Sequence, residues 1–207
     1  MADDLLDLGG ISLYFPDKLV DWKEAPMADF DLARKINEFK GSSQQIDYYS
    51  DEAPRKQNFS VTLLSQVEIY SILDFFLVNM RGRHKKFWFP LAFQAFQLAA
   101  FISLGSTKIT VFENKLDWRG YERLILVLRN GDKISRKITD FTRFEETGTI
   151  EFEVTAIGRE IQIADVVLIT FLLLCRLDQD SMRLQYFTTD VATAELAMVE
   201  LPNEYPS

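Results

Sequence analysis

The sequence predicts a mainly β protein with one main α-helix, and three observations lead there. Phe alone supplies 17 of the 207 residues, and aromatic side chains favour strands and aromatic packing. From Thr107 onward, short strand-like runs separated by turn residues succeed one another. Only one stretch, beginning at Ser65, carries apolar residues at sustained helical spacing.

Taken in order, the first 43 residues are the least legible. Ile11 to Phe15 reads as a short strand ending at Pro16, and Asp29 to Phe39 as a short helix with Phe30, Ala33, Ile36 and Phe39 at helical spacing. Gln45 to Ser50 and Lys56 to Leu64 read as strands. In the second, Phe59, Val61 and Leu63 alternate onto one face.

Ser65 then opens the helix. It is a good N-cap, and Glu68 three residues on completes a capping box. Ile69, Ile72, Leu73, Phe76, Leu77 and Met80 fall on one face. Gly82 supplies the left-handed residue that ends a helix, and Arg81 and Arg83 suit the negative end of its dipole. Lys85 and Lys86 lead into the aromatic strand Phe87-Trp88-Phe89, stopped at Pro90.

Phe93 to Leu104 reads as strand, with a helix as the alternative. Lys108–Glu113, Tyr121–Arg129, Lys133–Phe141 and Thr149–Thr155 follow as short strands. Asn130-Gly131 between two of them predicts a type I′ hairpin turn, and Glu145 to Gly148 a second hairpin. Leu124 to Leu128 is apolar on both faces, as a central strand requires. These runs predict a small antiparallel barrel inserted at 106–164, within a first domain made of 1–105 and 165–207; a single continuous sandwich with no insertion is the alternative. Val166 to Leu177 is a long apolar strand. Met182–Thr188 and Val191–Leu201 close the fold.

Composition limits function. The net charge of −8 argues against a free-standing nucleic-acid binder, which needs a basic face. One cysteine, Cys175, allows no intrachain disulfide. No basic, apolar secretory leader opens the sequence, and the run Val166–Cys175 is short of the roughly 20 residues that span a bilayer. No membrane insertion is expected.

Reactive chemistry is sparse. His84, the one histidine, lies in Arg-Gly-Arg-His-Lys-Lys, where cations disfavour the imidazolium that a catalytic triad must stabilise. One Cys and one His do not make a zinc site. Asp178 and Asp180 resemble the start of a calcium loop, but Arg183 stands where its turn glycine belongs, and a plain hairpin turn is the better reading. No nucleotide-binding glycine motif occurs. No catalytic residue, metal or cofactor is expected. Arg81, Arg83, Phe87 and Trp88 are candidates for subunit contact, because exposed aromatics and arginines are enriched at interfaces. Trp118 and Tyr121 flank Gly120 and are candidates for stacking on a sugar or touching a partner; the alternative is that both pack in the barrel.

Two longer stretches carry a resemblance. PRKQNFSVTLLSQVEIYSILDFFLVNMRGRHKKFWFP (54–90) joins a basic strand, a helix ending at Gly-Arg and an aromatic strand. CRLDQDSMRLQYFTTDVATAELAMVEL (175–201) sets an Arg-Leu-Asp-Gln-Asp turn between an apolar and a closing strand. Both resemble the distal tail proteins of long-tailed (siphovirus-type) bacteriophages and prophages, and RKITDFTRFEETGTIEFEV (136–154) looks like the barrel inserted in some of them. The resemblance implies a tail-tube-like β-sandwich or split barrel that forms a hexameric ring of the virion tail tip, assembled in the host cytoplasm. That ring joins the tail tube protein to hub or baseplate proteins, lets DNA pass its lumen without specific binding, and has no reaction to catalyse. The inserted domain would carry a receptor-binding protein or bind sugar. A peripheral binding module or a neighbouring hub component is the alternative.

Overall fold

The computed structural model describes residues 4–5, 8–14, 27–30, 34–38, 44–48, 55–91, 96–113 and 121–201. The protein is mainly β. Its elements are β1 (Asp4–Leu5), β2 (Met27–Phe30), β3 (Arg34–Glu38), β4 (Gln44–Tyr48), β5 (Arg55–Leu63), α1 (Gln66–Asp74), β6 (Lys86–Pro90), β7 (Lys108–Phe112), β8 (Arg123–Leu128), β9 (Lys133–Phe144), β10 (Thr149–Val154), β11 (Val166–Leu177), β12 (Arg183–Tyr186) and β13 (Ala192–Glu200). The chain divides into two compact units, one of 1–14 with 88–173, the other of 15–87 with 174–207. The segment 106–164 lies wholly inside the first unit.

In the first unit the strand order is β11, β8, β9, β10, β7, each pair antiparallel. β1 adds to β9 in parallel. The four short strands expected after Thr107 are all present. β8 is central, paired on both sides, which is why Leu124, Ile125, Leu126 and Leu128 are all buried. The stretch expected as strand over Phe93–Leu104 makes only single bridges, Phe96 to Ile169, Leu98 to Val111 and Ile102 to Ile161. Those bridges nevertheless matter: residues 96–98 touch both β11 and β7, the two ends of the strand path. Inside, Phe96, Phe152 and Phe171 meet edge to face at centroid separations of 5.1 to 6.0 Å. Each such pair is worth about 0.5–1.5 kcal/mol beyond its area burial.

The hairpin between β8 and β9 differs from the type I′ expectation. Gly131 has φ 90, but Asn130 does not take positive φ. Gly131 N donates to Leu128 O and Leu128 N to Asp132 O, both at 2.9 Å. This is a three-residue loop with glycine in the bulge position. The Asn130 carboxamide, bonded to Asp132, shapes the loop by its side chain rather than by its backbone.

In the second unit, β13 pairs with β5 on one side and β12 on the other, and its end pairs with the last residues of β11. Of the short helix expected over Asp29–Phe39, the described residues 29–30 and 34–38 are strand instead. β2 pairs with β5 and β3 pairs with β4, so strand pairing overrides the helical spacing of the apolar residues there. Ile11–Phe15 likewise reduces to one bridge, Leu13 to Trp88, with Phe15 outside the described residues.

The helix starts as expected. Ser65 Oγ accepts from Glu68 N at 3.3 Å, while Glu68 reaches back to Leu64 N at 2.7 Å. It does not end as expected. From Phe75 to Met80 the winding widens to a π-helix. The extra residue per turn shifts the inward face. Phe75 joins Ile69, Ile72, Phe76 and Met80 in the core, while Leu77, expected inside, is 61% exposed.

Candidate functional site

The residues singled out around the helix end separate by exposure. Arg81, Arg83, His84, Lys85 and Lys86 are all exposed. Phe87 and Trp88 are not: their exposures are 1% and 0%. Phe87 meets Phe75 edge on at 5.3 Å. The indole N–H of Trp88 donates to Leu8 O at 3.1 Å, and the Arg123 guanidinium lies 5.0 Å over its ring. These two aromatics belong to the interior, which corrects their assignment as contact residues. The aromatic strand is buried directly after Lys86.

A sharp stop produces that arrangement. Arg81 has φ 52 and Gly82 φ 62, two successive left-handed residues. Arg81 N donates back to Phe76 O, and Lys85 N to Met80 O at 3.1 Å. Residues 82–84 form one 3-10 turn and present Arg83 to the loop after β11. There, Asp180 Oδ1 accepts from Arg83 N at 3.0 Å and Oδ2 from Arg83 Nε at 3.2 Å. The two residues are 97 apart in sequence. Gly82 sits directly under this contact: a Cβ there would come within 2.6 Å of Asp180 Oδ1 and 3.2 Å of Asp180 Cα. The Arg83 backbone N–H, acting against a desolvation penalty and helped by the Arg83 and His84 charges, holds the Asp180 carboxyl below the usual carboxylate range. The two stretches that carried the family resemblance thus meet at Gly82, Arg83 and Asp180.

Beside this stop, the outer face of the helix carries apolar residues among polar ones. Val67 is 77% and Tyr70 67% exposed, and Leu77 and Val78 extend the exposed surface along the π segment. Leu64, just before the helix, is also exposed. Four exposed apolar residues on a helix face that also carries Gln66, Ser71, Asp74 and Asn79, next to exposed cations at 81, 85 and 86, have the mixed surface chemistry of a protein contact. The inward stripe of the helix gives no sign of these residues. Val67 and Tyr70 are off that stripe and three apart, a signal present in the sequence.

Of the other candidates, Trp118 lies outside the described residues. Tyr121 is half-buried and stacks on Phe171 at 4.8 Å, so its ring already has a partner. Among the described residues, no group of three or more His, Cys, Asp or Glu is placed to hold a metal ion. Compared with known proteins, the chain matches no family model and no curated sequence.

Proposed function

We propose that this chain is a virion structural protein, the distal tail ring that connects a tail tube to its hub or baseplate, built as a hexamer on a tail-tube-like fold. The observation that carries the proposal is the outer face of the helix, with Val67, Tyr70, Leu77 and Val78 in water beside Arg81 and Lys85. Leaving such a surface uncovered is unfavourable, at roughly 25 cal/mol per Å² of apolar area that a neighbour would remove from water. The chain as a whole carries −8, so a small basic patch on one copy meets acidic surface on the next. Six copies carry about −48, and an acidic lumen repels DNA rather than retaining it. The resemblance over 54–90 and 175–201 supplies the identity of the ring.

The test is the mass of the purified protein by light scattering across a concentration series, alone and with the tube or hub protein, together with negative-stain microscopy. A mass near six protomers and annular particles are expected. A protein that stays monomeric under every one of these conditions is not a ring component.

A further inference from the structure

The loop between β8 and β9 contains Asn130 followed by Gly131, both exposed. Asn-Gly is the pair in which the following backbone nitrogen meets least steric resistance, because glycine has no Cβ. In this hairpin, however, both reacting groups are engaged elsewhere. Gly131 N donates to Leu128 O at 2.9 Å. The Asn130 carboxamide is held at both ends by one residue: its Oδ1 accepts from Asp132 N at 3.0 Å, and its Nδ2 donates to Asp132 Oδ2 at 2.9 Å. Asp132 is buried and anchored in turn by Arg159 Nη1 at 2.5 Å.

We propose that Asn130 is a fold-gated modification site, inert while Asp132 holds its amide and converted to aspartate and isoaspartate once that hold opens. In the reaction, Gly131 N attacks Asn130 Cγ. A C–N bond forms, the Cγ–Nδ2 bond breaks, and ammonia leaves carrying the proton lost from Gly131 N. Water then opens the resulting five-membered imide at either carbonyl. The net change is asparagine plus water to an acid plus ammonia, so no oxidant, metal or enzyme is required. The product works against the closed loop. A carboxylate at 130 replaces an amide donor 2.9 Å from the Asp132 carboxylate with a like charge, and it competes for Arg159. Conversion is one-way because ammonia is lost and the imide is hydrolysed, and it also removes the hydrogen bond that had held the amide. In a long-lived assembly, with no turnover of the chain, this loop would record how often the hairpin has opened.

The experiment follows Asn130 by peptide mass mapping during incubation of the full-length chain at mildly alkaline pH, native and in guanidinium chloride. Native conversion is expected to be slower by about tenfold or more, as local opening must precede it. Asp132→Ala in the native chain should move the rate most of the way to the denatured value, and Arg159→Ala part of the way. Equal rates in native and denatured chains would overturn the proposal. So would an Asp132→Ala chain with native circular dichroism that converts no faster than wild type. Should Asp132→Ala fail to fold, Arg159→Ala and the native-against-denatured comparison still decide, and no acceleration in Arg159→Ala then counts against the gate.

Discussion

Replacing Gly82 by alanine tests the helix stop on which the exposed surface depends. Two separate costs arise. The residue has φ 62, and a Cβ in the left-handed region costs about 1–2 kcal/mol. The new methyl also falls 2.6 Å from Asp180 Oδ1 and 3.2 Å from Asp180 Cα. The carboxylate can swing away, but the backbone contact requires the loop itself to move, and that overpacking adds roughly 1 kcal/mol or more. A total of about 2–3 kcal/mol lowers the melting midpoint of a chain this size by roughly 5–10 °C. Thermal unfolding followed by circular dichroism measures it. The double variant Gly82→Ala with Asp180→Ala separates the two costs: it should recover part of the loss, because the clashing oxygen is gone, but not the part due to φ. A Gly82→Ala midpoint within about one degree of wild type would show that the stop is not strained in this way and refute the reasoning. Full additivity of the two single changes would remove the contact from the explanation and leave the backbone alone.

Four further outcomes follow from the same coordinates. Val67→Glu or Tyr70→Glu places a charge on an exposed face, so the folded monomer should keep its melting midpoint while the light-scattering mass falls; an unchanged mass in an assembled sample removes this face from the contact. Thr170→Val deletes a buried hydroxyl that donates to Leu91 O at 2.5 Å and should cost about 1–3 kcal/mol in chemical denaturation, by stranding a carbonyl; a neutral result means the carbonyl is satisfied elsewhere. The Asp180 carboxyl titrates lower in the folded chain than in the unfolded one, so the unfolded state binds more protons in that window and stability falls as pH drops below about 4; the midpoint difference between wild type and Asp180→Asn should shrink there, and a difference that grows on acidification reverses the sign. Asn130→Asp, which sets a second carboxylate beside Asp132, should melt below wild type at neutral pH and recover toward it in acid; an equal midpoint at both pH values means the loop does not sense the charge.

The strands and the helix start were legible because their signals are local. Ser65 and Glu68 sit three apart and form the cap that spacing predicts, and Gly131 marks a hairpin whatever its exact turn type. The failures are places where a distant partner decides. Residues 29–39 carry helical spacing, yet β2 is fixed by β5 and β3 by β4, pairings that no local pattern announces. Leu77 was assigned inward on a strict α-helical period, and a π-helix from Phe75 changed the count. Phe87 and Trp88 were contact candidates by residue type, whereas burial is set by what the strand packs on. Asp180 was legible only as a turn residue, since nothing in a sequence ties position 180 to position 83.

These failures share a cause that bears on the surface itself. A regular α-helix through Met80 would have buried Leu77 and left a narrower apolar face outside. In the π segment Leu77 lies in water and Phe75 in the core, where it meets Phe87 edge on. The winding is held at one end by Ser65 and at the other by the two left-handed residues Arg81 and Gly82, the second packed under Asp180. The outward apolar face is therefore a product of both ends of the helix together. A change that relaxes the stop, such as Asp180→Ala alone, should alter how Leu77 and Val78 are presented without touching either residue. If association is driven by this face, it should weaken in Asp180→Ala at constant fold, and the loss should disappear when Leu77 and Val78 are already polar. A loss of association that persists in that polar background would place the effect of Asp180 in a direct contact instead.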